Sequence, residues 1–439
     1  MSLVHVCRYW RAVLLNYCGV WTNIHLKGQD PDFLAWQMTL SQSAPLDVTV
    51  HLYQLILNSG DRLLHNFQAC METVQEHRQR VRSLSVRLNR DDFFRGFFNF
   101  DLPNLEELAW EDMGYRPARL DVPVWDANWY PKLRHLSVNG TLHWPMESTT
   151  GLTRFKLEGP MTVTLANISN FLERNRTLEH LELVNIHVPP GTPGQAKCIK
   201  LHNVTVLSFR NVEHGHVFPC ISLPALRNLH IGSFEQPALW TPTVWGNLSL
   251  PSGITSLDVK YRGWEGGFDS ICIRGFDDTR THSLNLTEHS LGTRFNPMLS
   301  ALANTPLHTV TSISFAEEGT NDPRYQLFSP PLRTMLGSLS NLTHVDLCWG
   351  HLTHQIVKQL RRTCPKLKTL RVKTTRLSCH ATFVLVLQMA KARAAAGTRL
   401  SKIECAVAED EDGAAQTREL WDALARNAEL ELYLSIGDG

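Results

Sequence analysis

The 439-residue sequence predicts an α/β solenoid in which short strands and helices alternate along most of the chain. Two observations carry this expectation. A six-residue pattern, apolar-x-x-apolar-x-apolar, recurs thirteen times between Val81 and Cys405, and stretches with apolar residues three and four apart lie between many of the recurrences. The last half of each pattern alternates apolar with other residues, which puts one face of a short strand in a core and the other in solvent. One strand and one helix per recurrence, connected in a constant hand, stack into a curved array with a parallel sheet on its concave side.

In chain order the pattern appears first as Val81-x-x-Leu84-x-Val86, Leu105-x-x-Leu108-x-Trp110, Leu133-x-x-Leu136-x-Val138 and Leu152-x-x-Phe155-x-Leu157. Leu178-x-x-Leu181-x-Leu183, Val204-x-x-Leu207-x-Phe209, Leu226-x-x-Leu229-x-Ile231 and Ile254-x-x-Leu257-x-Val259 follow, then a weak member ending Leu284-x-Leu286. The last four are Val310-x-x-Ile313-x-Phe315, Leu342-x-x-Val345-x-Leu347, Leu367-x-x-Leu370-x-Val372 and Leu400-x-x-Ile403-x-Cys405. Their mean spacing of about 27 residues falls within the ~20 to 29 of a leucine-rich repeat, so residues 81–439 are expected to form an irregular leucine-rich-repeat solenoid, or horseshoe. It is a degenerate one. From Leu105 to Leu400 the spacings vary from 19 to 33 residues. Met113, Thr141, Ile186, Val212, Gly350 and Thr375 stand where a regular unit has an asparagine. Helices are expected at Ile168 to Arg174, Met298 to Ala303, Gln355 to Arg362, Ala381 to Ala396 and Arg418 to Arg426. Loops are expected at Val188 to Gly194, Pro237 to Gly253 and Gly263 to Gly267.

Composition narrows the function classes. With 43 Lys and Arg against 42 Asp and Glu, a net charge of +1 asks for neither nucleic acid nor an anionic membrane as partner. The longest apolar run, Phe383 to Leu387, is far short of the ~18 residues of a membrane span, and His5, Arg8 and Arg11 interrupt what would be the apolar core of a signal peptide. A cytoplasmic or nuclear location is therefore expected. Ten cysteines at irregular distances with no C-x-x-C pair read as reduced thiols, and the seven N-x-[ST] triplets carry no weight without a secretion signal.

At the amino terminus Leu3, Val6, Cys7, Trp10, Val13 and Leu14 fall on one helical face, and Gly19 breaks the helix before a second aromatic anchor, Trp21. As a cap on the open end of a solenoid, this helix would bury Trp10. Val6-Cys7-Arg8-x-Trp10-Arg11-x-Val13 followed by Trp21-Thr-x-Ile24 resembles the last helix and exit of an F-box domain. Ala44-Pro45-Leu46-Asp-Val48-Thr-Val50 resembles the strand that follows the F-box in the large family of fungal F-box proteins with degenerate leucine-rich repeats. Cys18 and Val20 depart from the Pro and Leu common there, and the sequence opens at what corresponds to the last third of the motif. The resulting organisation is a partial F-box over 1–26, a linker strand and helical cap over 27–80, and the repeat domain over 81–439.

The resemblance implies the substrate-recognition subunit of an SCF-type ubiquitin ligase. A Skp-type adaptor, and through it a cullin, would dock on Leu3, Val6, Cys7, Trp10 and Val13, and the repeats would hold an unknown target protein. Two expectations about the incomplete F-box stay open: a longer chain that supplies its earlier helices, or a free-standing interaction scaffold without a ligase role.

No catalytic signature occurs, neither G-x-S-x-G nor G-x-x-x-x-G-K-[ST], H-E-x-x-H nor G-x-G-x-x-G, and the chain is expected not to be an enzyme and to need no cofactor. Cys348, His351, His354 and Cys364 are of metal-ligand type, but their spacing fits no zinc template and reads as packing. Glu409 to Asp412 lacks calcium-loop spacing and reads as a solvated turn. Strand alternation supplies a polar, His-rich concave face, with His135, Lys156, His180, His230, Lys260, His344, Arg371 and Lys373 as candidate target contacts. Arg371 and Lys373 belong to a basic segment with Lys358, Arg361, Arg362, Lys366, Lys368 and Arg376. That segment suits an acidic or phosphorylated ligand, or is merely solvated.

Overall fold

A computed structural model describes residues 7–27, 29–51, 61–88, 100–112, 127–140, 146, 148–189, 199–212, 221–234, 251, 253–263, 268–291, 296–305, 307–318, 329–348, 352–361, 363–374, 379–408, 422 and 431–437. The chain is mixed α/β, with mostly parallel strands, and divides into two compact units, Met1–Val204 and Thr205–Gly439.

In the first unit α1 (Arg8–Asn16) leads through a 3-10 turn (Cys18–Trp21) into β1 (Asn23–Leu26). Next come α2 (Pro31–Leu40), β2 (Leu46–His51), α3 (Asp61–Glu76), β3 (Val81–Leu88), β4 (Glu107–Asp112), β5 (His135–Asn139) and β6 (Arg154–Thr162). The unit closes with α4 (Leu165–Arg174), β7 (His180–His187) and the short β8 (Ile199–Lys200). Strands β1 to β7 pair in chain order, all parallel. Register aligns the middle apolar position of each pattern into one row, Ile24, Val48, Leu84, Leu108, Leu136, Phe155 and Leu181. The last apolar position forms a second row, Leu26, Val50, Val86, Trp110, Val138, Leu157 and Leu183. Both rows are buried. The ladder thus begins with β1 and β2, inside the segments read from sequence as F-box exit and linker strand. On the apolar face, α4 starts from a Thr164 cap whose Oγ1 accepts from the Asn167 amide and buries Ile168, Phe171 and Leu172, with the Phe171 ring tilted against Phe155 at a centroid distance of 4.4 Å.

The second unit contains β9 (Val206–Arg210), β10 (Ile221–Ser222), β11 (Asn228–Phe234), β12 (Ser256–Gly263), β13 (Phe268–Phe276) and β14 (Ser283–Leu291). Helix α5 (Asn296–Ala303), β15 (Ser312–Glu318), α6 (Ser329–Ser338), β16 (His344–Cys348), α7 (Leu352–Leu360) and β17 (Thr369–Thr374) continue it. It ends with α8 (Cys379–Ala395), β18 (Lys402–Ala408) and β19 (Glu431–Gly437). All thirteen patterned segments therefore end in a strand. Four of the five expected helices are present as α4, α5, α7 and α8, while 418–426 lies outside the described residues except for Asp422.

Uninterrupted parallel succession fails between β11 and β15. Strand β11 pairs with β14, β14 runs antiparallel to β13, β13 antiparallel to β12, and β12 parallel to β15. Strand β13 carries no lead apolar residue of the pattern, yet buries Ile273 in the last row, beside Val259 and Leu286, and Ile271 one step beyond it, beside Tyr261 and Glu288. Where the middle row would have a leucine it has Gly275, and a Cβ there would lie 2.9 Å from Ile254 and 3.0 Å from Leu257. The reversal into β14 is fixed by Asp277, whose carboxylate accepts from Thr279, Thr281 and His282. Beyond it, β15 to β19 pair in order and in parallel.

The missing repeat asparagine has a substitute one residue before the pattern. Asn104 donates to Gln79 O at 2.6 Å, Asn203 to Arg176 O at 3.3 Å and Asn341 to His308 O at 2.6 Å, each reaching back to the previous turn. Lys132 and Lys366, at the same position of the next segments, donate in turn to Asn104 and Asn341. Backbone amides reinforce the link: Glu106, Arg134, Thr153 and Glu179 each donate to the corresponding carbonyl of the preceding segment.

Candidate functional site

On the polar face of the first unit, strand alternation and parallel register bring Asp47, Ser83, Glu107, His135, Arg154 and His180 into one row. Ser85, Ala109, Ser137, Lys156 and Glu182 form the next. Several polar side chains on and beside these rows meet a carboxylate. His135 Nδ1 lies 2.8 Å from Glu107, Lys156 Nζ 2.7 Å from Glu158 and Arg87 Nε 2.8 Å from Glu111, while Arg82 grips both oxygens of Asp47. Pairs this exposed are worth at most about 1 kcal/mol each, so they set a pattern of charge more than they hold the sheet together. His180 differs, because its Nδ1 is enclosed with no hydrogen-bond partner. Burial first, and Arg154 second, hold its pKa below the ordinary histidine value. The ring is therefore neutral at pH 7 and presents an unused hydrogen-bonding atom.

In the second unit His230 stands in register with Ser208 and Asn285, and Lys260 with Cys272 and Ala316. His344 is exposed, with Nδ1 2.7 Å from Thr343 Oγ1. Arg371 lies between two carboxylates, 3.9 Å from Asp346 and 3.4 Å from Glu404, and Lys402 also pairs with Glu404. Lys373 is exposed in register with Cys348 and Ala406. The basic segment thus does not form one patch: Arg371 is neutralised on the sheet, Lys366 is bound to Asn341, and Lys358 and Arg361 lie on the helical side. Arg362 and Arg376 are outside the described residues.

Cys348 and Cys364 do not share a site. Burial, then Asp346, pushes the Cys348 thiol up to about 11, and it donates to Asp346 at 3.5 Å. Cys364 is buried and donates to Leu336 O. His351 and the 409–412 acidic run lie outside the described residues, among which no group of three or more His, Cys, Asp or Glu is arranged to hold a metal.

The amino-terminal helix departs most from expectation. Leu3 and Val6 lie outside the described residues. Cys7 caps α1, its Sγ accepting from the Trp10 amide at 3.4 Å. No residue of α1 is buried, and Trp10 is 53% exposed, so the expected burial of Trp10 as a cap is incorrect. The apolar spacing makes a face, but no described part of the chain covers it. Tyr9, Trp10, Val13, Tyr17 and Val20, joined by Trp36 of α2, are the exposed large hydrophobic residues among those described. The segment is anchored beneath by Trp21, which is 5% exposed, donates from Nε1 to Leu14 O at 2.7 Å and meets Trp36 edge-on at 5.1 Å. Trp36 was not legible as part of this surface; its only signal was a third aromatic within reach of the Trp21 turn.

Among the described residues, no helix is long and apolar enough to cross a membrane. No family model matches the chain, and no curated protein matches it.

Proposed function

We propose that this chain is a protein-recognition subunit of an SCF-type ubiquitin ligase, in which the amino-terminal segment docks a Skp-type adaptor and the strand-bearing units, read as an irregular leucine-rich-repeat solenoid, hold a target protein. The observation that carries the reading is the aromatic surface of Tyr9, Trp10, Val13, Tyr17 and Val20. It lies on the segment whose residues resemble the end of an F-box, and together with Trp36 it makes up the exposed large hydrophobic residues among those described. Contiguous exposed apolar surface marks an interaction site, and Trp and Tyr are the side chains that concentrate binding energy. The mosaic of paired charges on the strands suits a shaped polar epitope better than a small apolar ligand, whose pocket would be mostly apolar. His180, half-buried with an enclosed and unpartnered Nδ1, is among the proposed target contacts of the first unit. The chain would act in the cytosol or nucleus and carry out no chemistry of its own.

The test is co-purification with a Skp-type adaptor and cullin, comparing the chain with a Trp10→Ala, Val13→Ala variant. Stoichiometric adaptor that disappears in the variant supports the ligase role. Absence of adaptor from both would leave two readings, a longer chain that supplies the earlier F-box helices or the free-standing interaction scaffold.

A further inference from the structure

Helices α5, α6, α7 and α8 pack each on the next. Between α6, α7 and α8 lies a pocket of about 360 Å³, a size suited to a small ligand. Arg333 of α6, Lys358 of α7 and Arg361 just beyond it supply three cations to its wall. Val357, Leu385 and Met389 supply apolar surface, and the two remaining described lining residues are glutamines. Among the described residues, no carboxylate lines it.

Among the described residues Arg333, Lys358 and Arg361 form no ion pair. A cation near the carboxyl end of a helix is ordinarily explained by the helix dipole and the open carbonyls there. At α7 that role is already filled, because buried Arg393 donates to Leu360 O and Thr363 O. Lys358 and Arg361 are therefore not needed to close α7, and repulsion among the three cations falls when an anion enters between them.

We infer that this pocket binds a phosphate monoester carried on an aromatic or short aliphatic group. Guanidinium pairs with phosphate through two parallel hydrogen bonds, and lysine adds a point charge. The apolar wall of Val357, Leu385 and Met389 accepts the group that bears the phosphate. The site is separate from both the adaptor surface and the polar strand face, and does not depend on either assignment.

Calorimetric titration of the full chain with phenyl phosphate and with inorganic phosphate tests it. Phenyl phosphate is expected to bind about tenfold or more tightly than inorganic phosphate, and Arg333→Gln with Arg361→Gln to weaken it by about a hundredfold. Lys391→Gln, an exposed cation of α8 outside the pocket, is expected to leave it unchanged. All substituted positions are exposed, and equal melting midpoints confirm that each variant is folded. A phosphotyrosine peptide that binds more tightly than phenyl phosphate identifies the natural source as a phosphorylated protein; equal affinity identifies a free small phosphate. No binding at millimolar phenyl phosphate, or equal weakening by Lys391→Gln, overturns the site.

Discussion

Arg393 Nη1 donates to the carbonyl oxygen of Leu360 at 3.0 Å, and so closes the end of α7 from within α8. The same guanidinium reaches the carbonyls of Thr363, Cys364, Pro365 and Thr398 at 3.0 to 3.3 Å, and is 2% exposed. It is an arginine held by carbonyls rather than by a carboxylate. Burial lowers its pKa, but guanidinium keeps its proton, and the negative end of α7 stabilises the charge. Arg393→Met is expected to cost about 3 to 5 kcal/mol, because several buried carbonyls lose their donor together. Urea unfolding measures this. Arg393→Lys should recover less than half, since one ammonium cannot span the same fan of acceptors. An unchanged midpoint for the methionine variant would mean that water reaches those carbonyls.

Asn175 performs the analogous task in the first unit. Wholly buried, it accepts from the Leu152 amide at 3.0 Å and donates to Thr149 O and Phe171 O, both at 2.9 Å. Asn175→Ala should destabilise the chain by about 2 to 4 kcal/mol. Asn175→Asp should be at least as damaging at pH 7, because it aims a buried carboxylate at two carbonyls. Parallel urea melts of the two variants decide the point; a milder aspartate variant would count against this network.

Restoring the apparent consensus at Gly275 should harm the protein. Its added Cβ would sit 2.9 Å from Ile254, 3.0 Å from Leu257 and 3.1 Å from Leu284. Gly275→Ala is expected to cost about 1 to 3 kcal/mol, and Gly275→Leu more, through overpacking. A thermal midpoint raised by either change would show that β13 has room to spare.

The pH dependence follows from His180. Its folded pKa lies below the unfolded value near 6.5, owing to burial and Arg154. As pH falls through that value, the unfolded chain takes up a proton that the folded chain resists, and stability is lost. His51 and His77 are shifted the same way, chiefly by burial. The melting midpoint should therefore fall between pH 7.5 and 5.5, and fall less steeply in His180→Gln. An identical slope in that variant would remove His180 from the account.

Two tryptophans eleven residues apart should behave oppositely. Trp10→Ala is expected to change stability by less than about 0.5 kcal/mol, as for an exposed side chain. Trp21→Ala should cost about 3 to 5 kcal/mol, because it removes a buried ring and the hydrogen bond to Leu14 O. Calorimetric melting of both variants separates surface from anchor. A large loss on truncating Trp10 would contradict its exposure.

Strand positions were legible in the sequence because a half-buried strand imposes a period of two, and Leu84 with Val86 or Leu370 with Val372 displays it plainly. Strand order was not, because alternation records which face is buried and is blind to which neighbour supplies the hydrogen bonds. Ile271 and Ile273 therefore gave no hint that β13 would enter the sheet in reverse. Arg393 was invisible for a similar reason: within Ala390-Lys391-Ala392-Arg393 nothing local distinguishes the exposed cation from the buried one. Trp10 was placed on the correct helical face and assigned the wrong environment, since periodicity cannot say whether anything covers a face. Of the candidate contacts, alternation placed His135, Lys156 and Arg371 on the polar side; the partner of Lys156 is Glu158 on its own strand, but those of His135 and Arg371 come from neighbouring strands and depend on register.

The detour through β12, β13 and β14 also bears on how the second unit is assembled as it is synthesised. When a nascent chain has reached Phe276, β12 and β13 can pair with each other, but the place beside β11 belongs to β14, and the paired residues Asn228 and Ser283 are 55 residues apart. The other side of β12 stays open until β15 emerges. Growth cannot proceed by adding each new strand to a finished edge. Pairing of β14 with β11 and of β15 with β12 joins the strands made before the meander to those made after. Such long-range closure is slow and leaves two strand edges unpaired in the interval, so the stretch from Ser256 to Glu318 is where a stalled or hurried chain is most exposed to pairing with the wrong partner.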